Sequence, residues 1–233
     1  SYLIEEDNRL LLIDASRRGE PYVVGHMEEV LKRPASDLEL VISTHDDFDH
    51  SGGIVALARE CKARFGLPHA AYSTSKRLLN EPLSLFYRPL TIAVELLRPR
   101  MWKMYFNPAR KKRVTQAPKR HTHQPSVAAD TKIQPDFFLK HGQTIPGFPN
   151  WEVIHTPGHS WDSCCYFHHP SKSLISGDTL LASNKLKRLV LPSILDNPLR
   201  IRSSIRRLKA LGPLAVYPGH GPSMTGKGLL DHF

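Results

Sequence analysis

The apolar positions of this chain follow two periods, and the switches between them mark its elements. Tyr2 to Glu5 and Leu10 to Asp14 are short β-prone runs on either side of Asp7-Asn8, a turn-forming pair, so the chain is expected to open with a hairpin. Tyr22 to Lys32 then sets Val23, Met27, Val30 and Leu31 at helical spacing, and Leu38 to Ser43 is a continuous apolar strand of the buried type. Strand, helix and strand in that order imply an α/β layer. Ser51-Gly52-Gly53 opens a second helix, with Ile54, Leu57 and Ala58 on one face and Cys61 a turn further on. Later strands are expected at Trp151 to His155, Cys164 to His168, Ser173 to Ser176 and Leu214 to Tyr217, with a helix from about Leu199 to Leu211 before the last of them.

Leu83 to Asp136 breaks this alternation. It has proline at 89, 99, 108, 118, 125 and 135, large apolar residues through Phe106, and then basic and polar residues. We read one domain over 1–233 with an inserted arm at about 83–136. The first half of the arm is expected to form one or two amphipathic helices broken at Pro89 and Pro99, and the second half an extended, partly disordered loop.

Charge sharpens the picture of the arm. Of a formal net charge of +10, nearly the whole excess lies in Leu96 to Ala129, which carries Arg98, Arg100, Lys103, Arg110, Lys111, Lys112, Arg113, Lys119 and Arg120 with no Asp or Glu. Such a block forms a solvated surface, or a contact for the phosphates of a nucleic acid or for an anionic membrane surface. The longest apolar stretch, Leu83 to Leu97, is interrupted by Arg88, Pro89 and Glu95 and falls short of the roughly 20 apolar residues of a membrane span. Three cysteines, two of them adjacent at 164 and 165, do not make a framework of paired disulfides. A reducing compartment and, with no signal-peptide core in view, a cytoplasmic location are the expectations.

The chemistry concentrates in Thr44-His45-Asp46-Asp47-Phe48-Asp49-His50. His45, Asp47, Asp49 and His50 fall within six residues immediately after a strand, and imidazole nitrogen with carboxylate oxygen suits zinc, iron or manganese. Alone, the cluster also reads as acidic residues capping the helix at Ser51. Three further strand-end motifs weigh against that reading: Thr156-Pro157-Gly158-His159, Ser176-Gly177-Asp178-Thr179 and Tyr217-Pro218-Gly219-His220. Each sets a ligand-type residue after an apolar strand and beside a glycine.

In order and spacing these motifs resemble the metallo-β-lactamase-fold hydrolases, whose signature is His-x-His-x-Asp-His, then Gly-His, an Asp and a last His. The resemblance covers nearly the whole chain apart from the arm. It implies a four-layer αββα sandwich with the site along one edge. It also implies two divalent metal ions: His45, Asp47 and His159 on the first, Asp49, His50 and His220 on the second, and Asp178 between them. Zinc is the expected ion. Asp47 departs from the common signature, which has histidine there; the first site becomes harder and more negative, which favours iron or manganese or weakens metal retention. Asp14, at the end of the family's early strand, is implied to support the site rather than bind metal.

Two ions about 3.5 to 4 Å apart share a water, lower its pKa and present it as hydroxide, with Asp49 placed to orient it as the catalytic carboxylate. The leading expectation is hydrolysis of an ester, thioester or lactone-like bond in a small-molecule substrate. The alternative is a phosphodiesterase, nuclease or RNA-binding module that uses the basic arm. Asp178 differs from the cysteine of one zinc β-lactamase class, and Leu181 stands where quorum-signal lactonases carry tyrosine. Elsewhere, His155 reads as a strand residue, Cys164 and Cys165 as sheet packing, His168 and His169 as a surface turn, and His121 and His123 as solvated. Trp161 and Asp162 are read either as walls of the pocket or as partners of a ligand histidine. No proposed ligand lies in the arm, so the arm is read as a cover or docking surface rather than part of the catalytic sandwich, one that shapes substrate selectivity or surface binding as inserted loops at the entrance to a site do.

Overall fold

A computed structural model describes residues 1–72, 81–99, Trp102, Phe106 and 134–233. The chain opens with the hairpin of β1 (Tyr2–Glu6) and β2 (Arg9–Ile13). Asp7 and Asn8 both take positive φ, 50° and 64°, the hand of turn that matches the twist of paired strands and that Asp and Asn tolerate best. β2 then runs parallel to β3 (Leu38–Ile42), β3 to β4 (Arg64–Pro68) and β4 to β5 (Phe137–Leu139), giving a sheet of order β1-β2-β3-β4-β5. The second sheet is built from β6 (Thr144–Ile145), β7 (Phe148–His155), β8 (Cys164–His168), β9 (Ser173–Gly177), β12 (Ala215–Pro218) and β13 (Met224–Thr225). Its order is β13-β12-β9-β8-β7-β6. A small ribbon pairs β10 (Leu181–Ser183) with β11 (Arg188–Val190).

Alternation along the strands builds the layers. In β2, Leu11 and Ile13 point toward the second sheet and pack with Phe148, Val153, Tyr166 and Ile175, while Leu10 and Leu12 point the other way. That outer face is covered by α1 (Glu20–Gly25) through Val24, by the turn that follows it through Met27, and by α2 (Ile54–Cys61) through Ile54 and Leu57. The outer face of the second sheet, with Ile154, Cys165, Phe167 and Val216, is covered by α4 (Pro198–Leu211) through Ile201, Ile205 and Leu208. The result is the αββα sandwich. Each fully buried Leu, Ile or Phe in these layers contributes about 1.5–3 kcal/mol. A charge at Ile13, 0 % exposed between the sheets, would break the central layer.

Helix ends follow their sequence signals. Asn197 caps α4 by accepting from the N–H groups of Leu199 and Arg200, Pro198 occupies the first turn, and Gly212 closes the helix at φ 59°.

Several expectations need correction. The helix expected over Tyr22 to Lys32 begins at Glu20 and passes into a π-helical turn, His26–Val30. The wider turn rotates the register, so Met27 stays buried while Val30 and Leu31 come out to solvent. α3 (Ser84–Leu96) is one helix that runs through Pro89 rather than stopping at it. Proline removes only the N–H that Leu85 would receive, and Leu85 is exposed enough for water to replace it. Helix α3 does end before Pro99, as its sequence suggests. Strands β4, β5, β6, β10, β11 and β13 were not foreseen. The expectations for the second half of the arm, including His121 and His123, lie outside the described residues. Among the described residues no helix is long and apolar enough to cross a membrane.

Candidate metal centre

Four loops, after β3, β7, β9 and β12, deliver every proposed metal ligand. In the first, the carbonyl of Asp47 accepts from the N–H groups of His50 (2.8 Å) and Ser51 (2.9 Å), which curls the loop and turns His45, Asp47, Asp49 and His50 toward one place. Asp162 holds the loop from outside by accepting the Asp46 N–H at 2.7 Å. The fourth loop needs its glycine: a Cβ on Gly219 would lie 2.3 Å from Asp178 Oδ1 and 2.7 Å from His50 Cε1. At Gly158 a Cβ would meet the first turn of α4, 2.4 Å from the nitrogen of Ile201.

The seven side chains form three overlapping groups, His45–Asp47–His159, His45–His50–Asp178 and Asp49–His50–His220, whose ligand atoms lie within 4.8 Å of one another in each group. Asp47 Oδ2 is 3.6 Å from His45 Nε2 and 3.4 Å from His159 Nε2. Asp178 sits between the ends, Oδ1 3.3 Å from His50 Nε2 and Oδ2 3.8 Å and 3.5 Å from the Nε2 atoms of His159 and His220. Asp49 Oδ2 is 3.3 Å from His220 Nε2.

The outer nitrogens of His45, His50 and His159 are anchored. His50 Nδ1 donates to Asp14 Oδ2 (2.8 Å), His159 Nδ1 to the carbonyl of Ile194 (2.8 Å), and His45 Nδ1 to Thr44 Oγ1 (3.0 Å), whose own proton goes to Asp14. This fixes the tautomers and leaves each Nε2 free to act as a ligand. His45 Nε2, His50 Nε2, His159 Nε2 and Asp178 Oδ1 are buried and have no hydrogen-bond partner. Four such atoms aimed into one pocket are costly unless a cation takes their lone pairs. Asp14 plays its implied supporting part: buried, it accepts from the backbone and side chain of Thr44 and from His50.

The electrostatics point the same way. Burial disfavours charge at His50, yet Asp14 and Asp178 on either side outweigh it and push the imidazole up to about 11. Burial also opposes ionisation of Asp47 and Asp178, and the surrounding histidines, with Arg88 at Asp47, hold both carboxyls well below the usual range. The pocket thus stabilises positive charge strongly, and a divalent cation is what the same carboxylates would hold in place of the protons.

The family model for the metallo-beta-lactamase superfamily matches residues 1–220. The chain belongs to that superfamily. It is 25% identical over 231 residues to a probable metallo-hydrolase, YqjP, of Bacillus subtilis, covering 96% of this chain and 67% of the relative. It is 22% identical to the beta-lactamase-like protein 2 homolog of Drosophila melanogaster, covering 95% of this chain and 58% of that protein. The chain therefore spans roughly two thirds or less of the length of these two curated relatives. Among solved structures it resembles the metallo-beta-lactamase family protein TTHA1429 of Thermus thermophilus, with TM-score 0.61 and 21% identity, covering 99% of this chain and 71% of the other. TTHA1623 in a di-iron-bound form gives TM-score 0.56 at 24% identity, covering 96% and 88%. The protein is thus a metal-dependent hydrolase of the metallo-beta-lactamase fold.

Within this superfamily member, two functional residues escaped the sequence reading. Arg88, on α3, donates through Nη2 to both oxygens of Asp47 (2.9 and 3.1 Å) and through Nη1 to Asp196 Oδ1 (3.1 Å). Asp196 is fully buried, and its Oδ2 accepts the N–H of Trp161 while its own N–H bonds the carbonyls of Gly158 and His159. One guanidinium thus ties the Asp47 loop to the brace of the His159 loop, so the first helix of the arm reaches a proposed ligand directly. The extra negative charge of Asp47 is matched by this cation. Arg88 lacked a motif; the only sequence signal was a charge in an otherwise apolar run.

Other readings hold. His155 lies at the end of β7 and bonds the carbonyl of Trp161 (2.9 Å), outside the metal groups. Cys164 and Cys165 are buried in β8, and all three cysteines are free. His168 and His169 bond Ser171 and Glu152 on the surface. For Trp161 and Asp162, the bond to a ligand histidine is not realised: Asp162 accepts from the backbone of Asp46, and Trp161 lies under Arg200, its ring centroid 5.4 Å from the guanidinium carbon.

Proposed function

We propose that the chain is a dinuclear metal-dependent hydrolase that cleaves an ester, thioester or lactone-like bond. The observation that carries this reading is the set of four buried, unpartnered ligand atoms inside three overlapping groups at whose centre Asp178 lies. His45, Asp47 and His159 would hold one ion, Asp49, His50 and His220 the other, and Asp178 both. When bound, the pair supplies an activated water and a Lewis acid for the oxygen of the electrophile. The residues then do the rest. Asp14 and Ile194 hold the imidazoles in their tautomers, Arg88 aims Asp47 inward, and Asp49, the more exposed carboxylate, faces the entering substrate and orients the nucleophile's proton.

Zinc is the ion we assign first, since imidazole and carboxylate donors suit it; Asp47 in place of a histidine makes iron the main competitor. A similar protein, TTHA1623, exists in a di-iron-bound form. Elemental analysis of protein purified without chelator is expected to give about two transition-metal ions per chain, because seven ligands exceed one tetrahedral site. A panel of ester, thioester, lactone, β-lactam and phosphodiester substrates then tests the bond. At most one ion at full activity would overturn the dinuclear reading, and turnover confined to the phosphodiester would overturn the acyl one.

A further inference from the structure

α3 is docked the opposite way round from an ordinary amphipathic helix. Its inward side is polar: Ser84, Arg88, Thr91 and Glu95 recur at spacings of four, three and four. Ser84 and Glu95 are buried at 6 % and 4 % exposure, Arg88 holds Asp47 and Asp196, and Thr91 Oγ1 accepts the N–H of Leu195 at 3.2 Å. Its outward side is apolar. Phe86, Leu90 and Leu97 are 73 %, 58 % and 84 % exposed, and beyond the helix Trp102 and Phe106, also exposed, stack with ring centroids 6.0 Å apart. Monomeric proteins seldom leave a contiguous face of this kind in water.

We propose that this outward face is a docking surface for an anionic lipid bilayer, with α3 lying in the plane of the headgroups and Phe86, Leu90 and Leu97 reaching the acyl boundary. Charge selects this occupant. The sequence from Leu96 to Ala129 is rich in Lys and Arg and contains no Asp or Glu, so an apolar face is joined to a purely cationic stretch. A bilayer of anionic lipids presents the same pair of properties, acyl chains beneath negative headgroups. Trp102 has the ring that favours that interface. A second copy of the chain would bring two +10 proteins together along their most basic segments, which the like charges oppose. Nucleic acid would answer the cations yet leave Phe86, Leu90 and Leu97 in water. The inference is independent of which bond the metal centre cleaves.

The test is co-sedimentation of the full chain with vesicles of phosphatidylcholine and of an equimolar phosphatidylcholine–phosphatidylglycerol mixture. Binding to the mixed vesicles, weak binding to the neutral ones and loss of binding with rising salt are expected. Phe86→Asp and Leu97→Asp should each lower partitioning by roughly tenfold, from the apolar burial they remove. Phe86→Leu should bind nearly as the parent does. Neither aspartate should change metal content or cooperative unfolding, because both side chains point to solvent; if one does, Phe86→Ser and Leu97→Ser carry the same test. The proposal is overturned by absence of vesicle binding, by vesicle binding that the aspartates leave intact, or by a concentration-dependent dimer that they dissolve in the absence of lipid. RNA binding without vesicle binding overturns it equally.

Discussion

The ligand loops and α3 handle polarity in opposite ways. In the loops after β3, β7 and β9, His45, His50, His159 and Asp178 are buried at the sandwich edge, and the outer nitrogens of the three histidines are fixed by Thr44, Asp14 and backbone. In α3 a polar stripe is turned inward over that same edge, and the apolar stripe is left outside. The difference teaches that the side of a helix facing the protein is set by what it covers. Over a hydrophobic sheet face it is apolar, as in α2 and α4; over a charged site it is the side carrying Arg88.

If the loops carry the chemistry, Asp178→Ala should be the most damaging single change. We expect turnover to fall roughly a thousandfold, about 4 kcal/mol of transition-state stabilisation, with loss of bound metal and little change in the unfolding midpoint. Retention of both metal and activity, read by elemental analysis and initial rates, would remove Asp178 from the centre of the site.

Arg88 tests whether α3 belongs to the site. Arg88→Ala should weaken metal binding by about tenfold to a hundredfold, as loss of a residue that orients a ligand does. The loss should fall on the ion at His45, Asp47 and His159 while the other is retained. Arg88→Lys should fall between, since an ammonium keeps the charge without the two-pronged geometry. Stepwise metal titration followed by calorimetry separates these outcomes, and equal weakening of both ions would count against the assignment.

Protons compete with metal in the loops, not at Arg88. Carboxylate neighbours raise His50 and His159 despite burial, and Asp49 raises His220, so protons must leave as metal enters. Apparent metal affinity should therefore rise with pH and fall on acidification, by roughly tenfold per pH unit for each proton displaced. Competition against a chromophoric chelator between about pH 6 and 8 measures the slope; a flat profile would contradict the raised imidazoles. The smallest effect is expected outside both regions. His155→Ala should lower turnover less than about threefold at matched metal content, since the ring only braces Trp161. A complete loss with metal and fold intact would move His155 into the chemistry.

The sequence exposed most of the site because its residues lie close together along the chain or beside glycines at strand ends, where local pattern and chemistry coincide. His45 to His50 could be read as one loop, and Gly158, Gly177 and Gly219 marked the other three. Strand β4 was invisible for the opposite reason: Arg64–Pro68 has one glycine, one proline and no clear alternation, and it is a strand because β3 and β5 flank it. The π-helical turn at His26–Val30 keeps Met27 in the core cluster while Val30 and Leu31 turn outward, a register that regular helical spacing does not predict. Arg88 and Asp196 meet across 108 residues of chain, a pairing that no local pattern can announce.

Asp14 shows where this architecture leaves room for change. Its backbone stands at φ 63°, the left-handed region, while its carboxylate accepts from Thr44 and His50 at once. Glycine there would ease the backbone and lose both bonds. Asparagine would suit the backbone and put an amide donor where an acceptor is needed. Neither replacement serves both demands, which Asp14 meets together. Substitution is freer on the outward face of α3, whose side chains point to solvent, than at Asp14, where a change of length or charge unfastens Thr44 and His50 together.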